Sequence, residues 1–130
     1  MPSIFTKIIN REIPASIIAE DDGHIAFLDI NPLTYGHTLV VPKKEVDYIY
    51  DLSDTELTNL NLFAKKVAIA IKKAIECNRV GITVIGLEVP HAHIHLIPIN
   101  TMDDMNFARP KLTLSTQKAF DIAEKIKSEF

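Results

Sequence analysis

A long stripe of apolar positions at helical spacing occupies the middle of the chain. Ser53-Asp54-Thr55-Glu56 precedes the stripe with the pattern of a capping box, in which Ser53 caps the helix and Glu56 reaches back. The apolar positions are Leu57, Leu60, Phe63, Ala64, Val67, Ala70, Ile71, Ala74 and Ile75. Four lysines lie off the stripe, as expected for a solvated face. The pattern predicts a long helix with one buried side.

Shorter segments alternate apolar and polar residues or are rich in β-branched residues, which predicts strands. The predicted strands span residues 16–19, 24–29, 37–41, 80–85 and 89–98. Asp21-Asp22-Gly23 between the first two is a hairpin turn signal, and Pro42 ends the third strand. The fourth strand turns at Gly86 into the fifth.

The fifth predicted strand contains three of the five histidines, His91, His93 and His95, on alternate positions. Alternate residues of a strand point to the same side, so the three imidazoles are expected to share one face. The other face would carry the apolar residues Ala92, Ile94 and Leu96. Imidazole changes protonation near neutral pH and can act as nucleophile, base, acid or metal ligand, so this strand is the first candidate for chemistry.

Helices are also predicted at both ends of the chain. Ser3 can cap a helix over residues 4–9, which must stop before Pro14. An irregular stretch over residues 100–111 leads into an amphipathic terminal helix with Phe120, Ile122, Ala123, Ile126 and Phe130 available for packing. This order of elements predicts an α+β fold with an antiparallel sheet of about five strands. The long helix would cover the apolar side of the sheet and leave the histidine side as the floor of a cleft.

Size, charge and cysteine content narrow the function classes. At 130 residues the chain is expected to form one domain over residues 1–130. A net charge of −3 argues against a general nucleic-acid binder but allows a ligand with a few phosphates. Cys77 is alone, so no intramolecular disulfide can form. Because no secretory signal or membrane-length apolar run is found, the expected location is cytoplasmic.

The residues alone leave three interpretations of the histidine strand open. Two histidines at i and i+2 can share one zinc, and His37 could complete the set, but His91 and His95 would lie about 13 Å apart. A polar row on an exposed sheet face can also be purely structural. The third interpretation is covalent catalysis at phosphorus by the central ring, His93. This requires an acceptor for the proton on the ring's other nitrogen, such as a strand carbonyl or a neighbouring imidazole.

The run from Val89 to Ile97 resembles the His-φ-His-φ-His-φ-φ signature, where φ is apolar, of the histidine triad (HIT) nucleotide hydrolases and transferases. Residues 5–14, 27–32 and 36–42 are similar to the family's N-terminal blocks, in the same order. The resemblance covers residues 3–99, and residues 100–130 form a C-terminal extension with a helix. It implies a HIT-like antiparallel sheet with two principal helices, usually in a homodimer.

The resemblance also implies a role for each matching residue. His93 matches the nucleophile that forms a nucleotidyl-imidazole intermediate, His95 the histidine on the phosphate and leaving-group side, and His91 the triad member that orients the nucleophile. His37 matches a fourth histidine behind the triad, and Asp29 matches the position that bonds the ribose hydroxyls. The apolar base pocket would consist of Phe5, Ile8, Phe27, Leu28 and Ile30, although Ile8 and Leu28 could equally belong to the core.

The implied activity is cleavage at the α-phosphorus of a nucleoside monophosphate derivative or a dinucleotide, as in a phosphoramidase or dinucleoside polyphosphate hydrolase. The partner would be a small-molecule nucleotide rather than a nucleic-acid polymer or a membrane. The covalent step requires no metal or other cofactor, although a divalent metal could accompany polyphosphate substrates.

The chain departs from the family pattern near the phosphates. Leu87 stands where many members have a glutamine that touches the phosphates, and leucine cannot donate a hydrogen bond. Glu88, on the substrate side, replaces a hydroxyl residue, and Glu45 replaces a further histidine found in some members. The loop before the triad is also short. These departures keep two alternatives open, a nucleotide-binding regulatory module with little turnover and a zinc-binding protein. The segment 102–107 is a candidate lid beside the triad.

Overall fold

The computed structural model describes residues 1–130 and contains three α-helices, α1 (Ile4–Ile9), α2 (Asp54–Ala74) and α3 (Thr116–Lys127). Two 3-10 turns cover Ile49–Asp51 and Met102–Met105. Ser3 caps α1, and the predicted capping box of Ser53 and Glu56 starts α2. None of the helices combines the length and the hydrophobicity that crossing a membrane requires.

The sheet has five strands: β1 (Ile17–Glu20), β2 (His24–Leu28), β3 (Thr38–Pro42), β4 (Arg79–Thr83) and β5 (Ile94–Ile99). Their spatial order is β1-β2-β3-β5-β4, and every neighbouring pair is antiparallel. The last strand in sequence therefore lies inside the sheet, between β3 and β4. This arrangement confirms the predicted α+β fold with an antiparallel sheet of five strands and with long, N-terminal and C-terminal helices.

The two faces of the sheet carry different cores. On one face α2 and α3 cover a large apolar cluster that includes Ala26, Val40, Ala92, Ile94 and Leu96. On the other face α1 covers a smaller cluster, whose members are Phe5, Ile8, Ile25, Phe27, Leu39 and Val41. Strand alternation separates the two sets, as the period of the sequence predicts. The larger cluster anchors the histidine segment from behind.

The histidine strand is shorter than the alternation predicts. β5 begins at Ile94 rather than at residue 89, because the preceding backbone makes other hydrogen bonds. The N–H of His91 donates to the carbonyl of Val89 in a tight turn, and the N–H of Ala92 donates to the carbonyl of Val46. The fourth strand likewise ends at Thr83 instead of residue 85. His91 and His93 thus lie in the approach to the strand, and only His95 lies within it.

Candidate active site

A cleft of about 630 Å³ opens on the face of the sheet that α1 covers, and its lining is mostly apolar. Its size and lining are typical of a small-molecule site. Phe5, Ile8 and Phe27 form one buried wall, and Ile30, which is 72% exposed, lies at the rim. The histidines that line the cleft are His93 and His95, whose ring centroids lie 4.9 Å apart. An apolar compartment therefore adjoins two imidazoles.

His93 is held through one ring nitrogen and leaves the other free. Its Nδ1–H donates to the carbonyl oxygen of His91 over 2.7 Å. This partner assigns the proton to Nδ1, so Nε2 carries the lone pair. The rings of His93 and Phe5 meet in a T-shaped contact with centroids 5.0 Å apart, which restrains the plane of the imidazole. Of the two acceptors that the sequence left open, the backbone carbonyl is the one used.

His95 has the opposite tautomer, and His37 behind it determines this. The backbone N–H of Leu33 donates to Nδ1 of His37 over 3.0 Å, so the proton of His37 must sit on Nε2. That Nε2–H donates to Nδ1 of His95 over 3.0 Å. The proton of His95 is therefore on its own Nε2. Two adjacent rings in the cleft thus differ in function: His93 offers a lone pair and His95 offers a donor.

His91 and His37 lie beneath the cleft rather than in its lining. His91 is fully buried, its Nε2–H donates to the carbonyl of Pro42 over 2.8 Å, and its Nδ1 lies 2.7 Å from the hydroxyl of Ser3. His37 is 1% exposed. Because both nitrogens of each ring have partners inside the protein, these residues can orient the cleft histidines but cannot reach a ligand directly.

Burial keeps the imidazoles of His37, His93 and His95 neutral. It lowers the pKa of His37 to about 3 and the pKa of His95 to about 4, and in both a neighbouring imidazole lowers the pKa further. Burial also lowers the pKa of His93, although the His91 carbonyl and the charge of Glu88 oppose this shift. At neutral pH all three rings are therefore uncharged, and the lone pair on Nε2 of His93 is available for attack.

Asp29 follows the end of β2 at the margin of the cleft, with Oδ2 3.6 Å from Nε2 of His37. Burial raises the pKa of its carboxyl above the ordinary value, and the charge of Glu88 adds to this. The N–H of Asn31 donates to Oδ1 over 2.9 Å, and this hydrogen bond lowers the pKa of Asp29. The charge of Lys111 also lowers it. The carboxylate thus has one oxygen held by the backbone and the other facing the histidines.

Three of the predicted substrate-side residues, Leu28, Glu88 and Ile8, line the cleft in different ways. Leu28 borders the cleft, but its side chain packs with the core under α2, because Phe27 takes the cleft side of the strand. Leu28 therefore belongs to the core and also borders the cleft, and its role in the base pocket stays a prediction. Glu88 is exposed and lines the cleft, and its charge acts on His93. Ile8 belongs to both the buried cluster and the cleft wall.

The C-terminal extension supplies two cleft residues that sequence reasoning missed as individuals. The Phe107 ring lies 5.0 Å from the His95 ring in an edge-on contact, and Lys111 lines the cleft nearby. Arg109 fixes the segment by donating to the carbonyl of Leu33 over 2.6 Å and pairing with Asp103. The predicted lid over residues 102–107 includes Phe107 but not Lys111. An isolated aromatic residue in a polar stretch is the only signal that marked Phe107.

Asp29, His37 and His95 also form the one group that could be considered for a metal ion, with candidate ligand atoms within 4.8 Å of one another. Ligation by His37 would require the lone pair of Nε2. In a neutral imidazole only one nitrogen has a free lone pair, and in His37 that lone pair, on Nδ1, accepts from the N–H of Leu33. With the tautomer that these hydrogen bonds fix, His37 has no lone pair free for a zinc ion, so the donor set does not fit one.

The protein thus combines an open antiparallel sheet, an apolar cleft and two adjacent histidines of opposite tautomer. Comparisons with known proteins show the family that has this fold. The model of the HIT domain family matches residues 10–102. An uncharacterised HIT-like protein of Borreliella burgdorferi is 38% identical over 131 residues, covering 95% of this chain and 94% of that protein. The chain belongs to the HIT family.

Two further relatives extend the comparison. Adenosine 5'-monophosphoramidase of Saccharomyces cerevisiae is 38% identical over 99 residues, covering 73% of this chain and 61% of that protein. A crystal structure of a HIT-like protein from Bartonella henselae superimposes with a TM-score of 0.85 at 32% identity, covering 98% of this chain and 96% of that one. The likeness to the latter includes the C-terminal extension, which lies outside the matched family model.

Proposed function

We propose that this protein hydrolyses a nucleoside monophosphate derivative or a dinucleotide at the α-phosphorus through a covalent intermediate on His93. The observation that carries the proposal is the pairing of opposite tautomers in one cleft. His93 offers an unprotonated Nε2, while His95 offers an Nε2–H beside it. The similarity to a monophosphoramidase from yeast supports a substrate of this class.

In the proposed reaction the nucleobase of the substrate packs against the apolar wall of Phe5, Ile8 and Phe27. The ribose lies next to Asp29. Nε2 of His93 attacks the α-phosphorus and forms an N–P bond. The bond from phosphorus to the leaving group breaks, and its electron pair stays on the leaving atom. The leaving atom then takes a proton from solvent. The Nε2–H of His95 donates to the phosphoryl oxygens as negative charge develops there. Water then attacks phosphorus, the N–P bond breaks, and His93 returns to its neutral form with loss of one proton to solvent.

The charge of Glu88 gains a role in this scheme. When His93 is bonded to phosphorus through Nε2 and keeps its proton on Nδ1, the ring is positively charged. The carbonyl of His91 and the carboxylate of Glu88 both favour positive charge on this ring, since each raises the pKa of His93 against the effect of burial. Glu88 would therefore stabilise the intermediate rather than only repel the phosphates.

A homodimer remains the expected assembly, and the cytoplasm remains the expected location. β4 is an edge strand, and the apolar side chains of Ile82 within it and of Val84, Ile85 and Leu87 after it are exposed. Native edge strands are normally protected by charge, by a covering element or by a partner. These features support pairing of two copies along this edge.

The activity is tested with adenosine 5'-phosphoramidate as substrate, in the presence of EDTA. We expect release of adenosine monophosphate with undiminished rate after chelation, because no step uses a metal. A regulatory module would instead show a rise in thermal stability with the ligand but no product. A zinc protein would show stoichiometric metal in the purified chain and loss of activity with the chelator. Either of these results would contradict the proposal.

Replacing Asp29 by asparagine is expected to weaken substrate binding more than turnover. A carboxylate that accepts from the ribose hydroxyls contributes about 1.5–3 kcal/mol, so KM should rise roughly tenfold to a hundredfold with a smaller change in kcat. The measurement is KM for adenosine and 2',3'-dideoxyadenosine phosphoramidates, whose difference should shrink in Asp29→Asn. Asp22→Asn, in the exposed β1–β2 turn, is the matched control. An unchanged preference for the ribose would show that Asp29 does not contact it.

A further inference from the structure

A hydrogen-bond network outside the cleft connects the first residues of α1 to His91. Ser3, the capping residue, is only 6% exposed. Its hydroxyl oxygen lies 2.7 Å from Nδ1 of His91, which is fully buried. Glu45, which follows β3, approaches the same residues from the solvent side. Three elements distant in sequence thus meet at one buried imidazole.

The direction of each hydrogen bond in this network follows from its partners. The Nε2–H of His91 donates to the carbonyl of Pro42, so Nδ1 must accept, and the Ser3 hydroxyl must be the donor. The Ser3 oxygen in turn accepts from the N–H of Thr6 over 3.0 Å. The Thr6 hydroxyl donates to Oε1 of Glu45 over 2.6 Å, because a carboxylate can only accept.

Glu45 completes the network by holding the backbone of Ser3. Its Oε1 accepts from the Ser3 N–H over 2.7 Å as well as from the Thr6 hydroxyl. These hydrogen bonds, with the Ser3 N–H foremost, lower the pKa of Glu45 below its ordinary value. The carboxylate therefore stays ionised and accepting near neutral pH, so the hydroxyl of Ser3 remains aimed at His91.

The network matters for the reaction because His91 acts through its backbone. Its carbonyl accepts the Nδ1–H of His93, and this hydrogen bond decides which nitrogen of His93 carries the lone pair. With both ring nitrogens of His91 bonded, to Pro42 and to Ser3, the side chain cannot rotate, and the carbonyl is fixed in turn. An unpaired Nδ1 would remove one of these two restraints.

We propose that Ser3, Thr6 and Glu45 are positioning residues for His93, which act through His91 to keep the proton of the nucleophile on Nδ1. The kinetic consequence rests on the function proposed above, whereas the effect on the His93 proton does not. The hydroxyl of Ser3 has two tasks, capping α1 and donating to His91, and the experiment has to separate them.

The decisive variant is Ser3→Ala in the full chain. We expect kcat to fall on the order of tenfold to a hundredfold with little change in KM, because the nucleophile is misaligned while the binding wall remains. The ring nitrogens of ¹⁵N-labelled His93 should show partial transfer of the proton from Nδ1 to Nε2. Ser3→Thr, which keeps the hydroxyl, should restore both the rate and the tautomer.

Ser115→Ala is the matched control for the capping task. Ser115 caps α3 by accepting from the N–H of Lys118, and it lies outside the cleft. Its loss should lower the midpoint of thermal unfolding without any change in kcat or in the His93 ring signals. If Ser3→Ala behaves in the same way as this control, the serine is only a helix cap and the proposal is overturned.

Two further outcomes are informative. If Ser3→Ala does not fold, the same measurements are made on Thr6→Val. This variant removes the donor to Glu45 without removing the helix cap. Ring signals of His93 identical to those of the unaltered protein would then overturn the proposal. If the unaltered protein turns over no nucleotide, the proposed function fails. The ring signals of His93 in Ser3→Ala still decide the positioning role in that case.

Discussion

His93→Ala is expected to abolish turnover and the covalent adduct while the fold is retained. Removing the nucleophile of a covalent mechanism lowers kcat on the order of 10⁴-fold to 10⁶-fold, because no remaining group forms the intermediate. The fold should persist, since His93 lines the cleft and the large core behind the sheet is built from its neighbours Ala92 and Ile94.

The measurement is single-turnover kinetics with acid-free quenching, followed by mass spectrometry of the peptide that contains His93. The unaltered protein should gain the mass of one nucleotidyl group on this residue, and His93→Ala should gain none. His24→Ala is the control, because this fifth histidine stacks on Phe63 and pairs with Asp21 outside the cleft. Retained turnover in His93→Ala would remove the covalent mechanism.

The free energy of unfolding is expected to fall steeply as the pH drops from 6.5 to 4.5. In the folded protein the pKa of His37 is about 3 and that of His95 is about 4, whereas the ordinary pKa of a histidine side chain is 6.5. The unfolded chain therefore binds protons in this range that the folded protein does not bind. The stability that depends on neutral His37 and His95 is complete above pH 6.5 and is lost as the pH falls. For the two groups together, the free energy of unfolding changes with a slope that approaches about 2.7 kcal/mol per pH unit.

His37→Gln tests the origin of this slope. The glutamine amide can still donate to Nδ1 of His95 but leaves the N–H of Leu33 without its acceptor, which should cost about 1–3 kcal/mol at pH 7.5. With one buried imidazole removed, the slope between pH 6.5 and 4.5 should fall to roughly half. Urea unfolding at several pH values measures both quantities. A slope equal to that of the unaltered protein would show that His37 is not responsible for the acid sensitivity.

Local patterns in the sequence were sufficient for most of the fold. The capping box at Ser53 and Glu56, the helical stripe after it and the hairpin turn before β2 all lie where short-range rules place them. The ends of the histidine segment were not predicted well. Alternation continues through residues 89–93, but the backbone there bonds to Val46 and to its own turn, and no short-range pattern records such partners.

In the candidate site, too, the sequence predicts which residues take part, and the fold decides their contacts. The sequence and its family resemblance select His93, His95, His91, His37 and Asp29, and the structure brings all of them to one place. The side on which Leu28 packs and the contact of Phe107 with His95 depend on where strands and the C-terminal segment settle, so they were missed or left open.

The sequence by itself determined the element order, the apolar faces and the set of chemically active residues, because these depend on neighbours a few positions apart. Only the tertiary structure decided what each imidazole can do. The tautomer of His95 depends on His37, 58 positions away, and that of His91 on Pro42, 49 positions away. A proton is assigned to a ring nitrogen by the partner it meets, and folding alone brings these partners together.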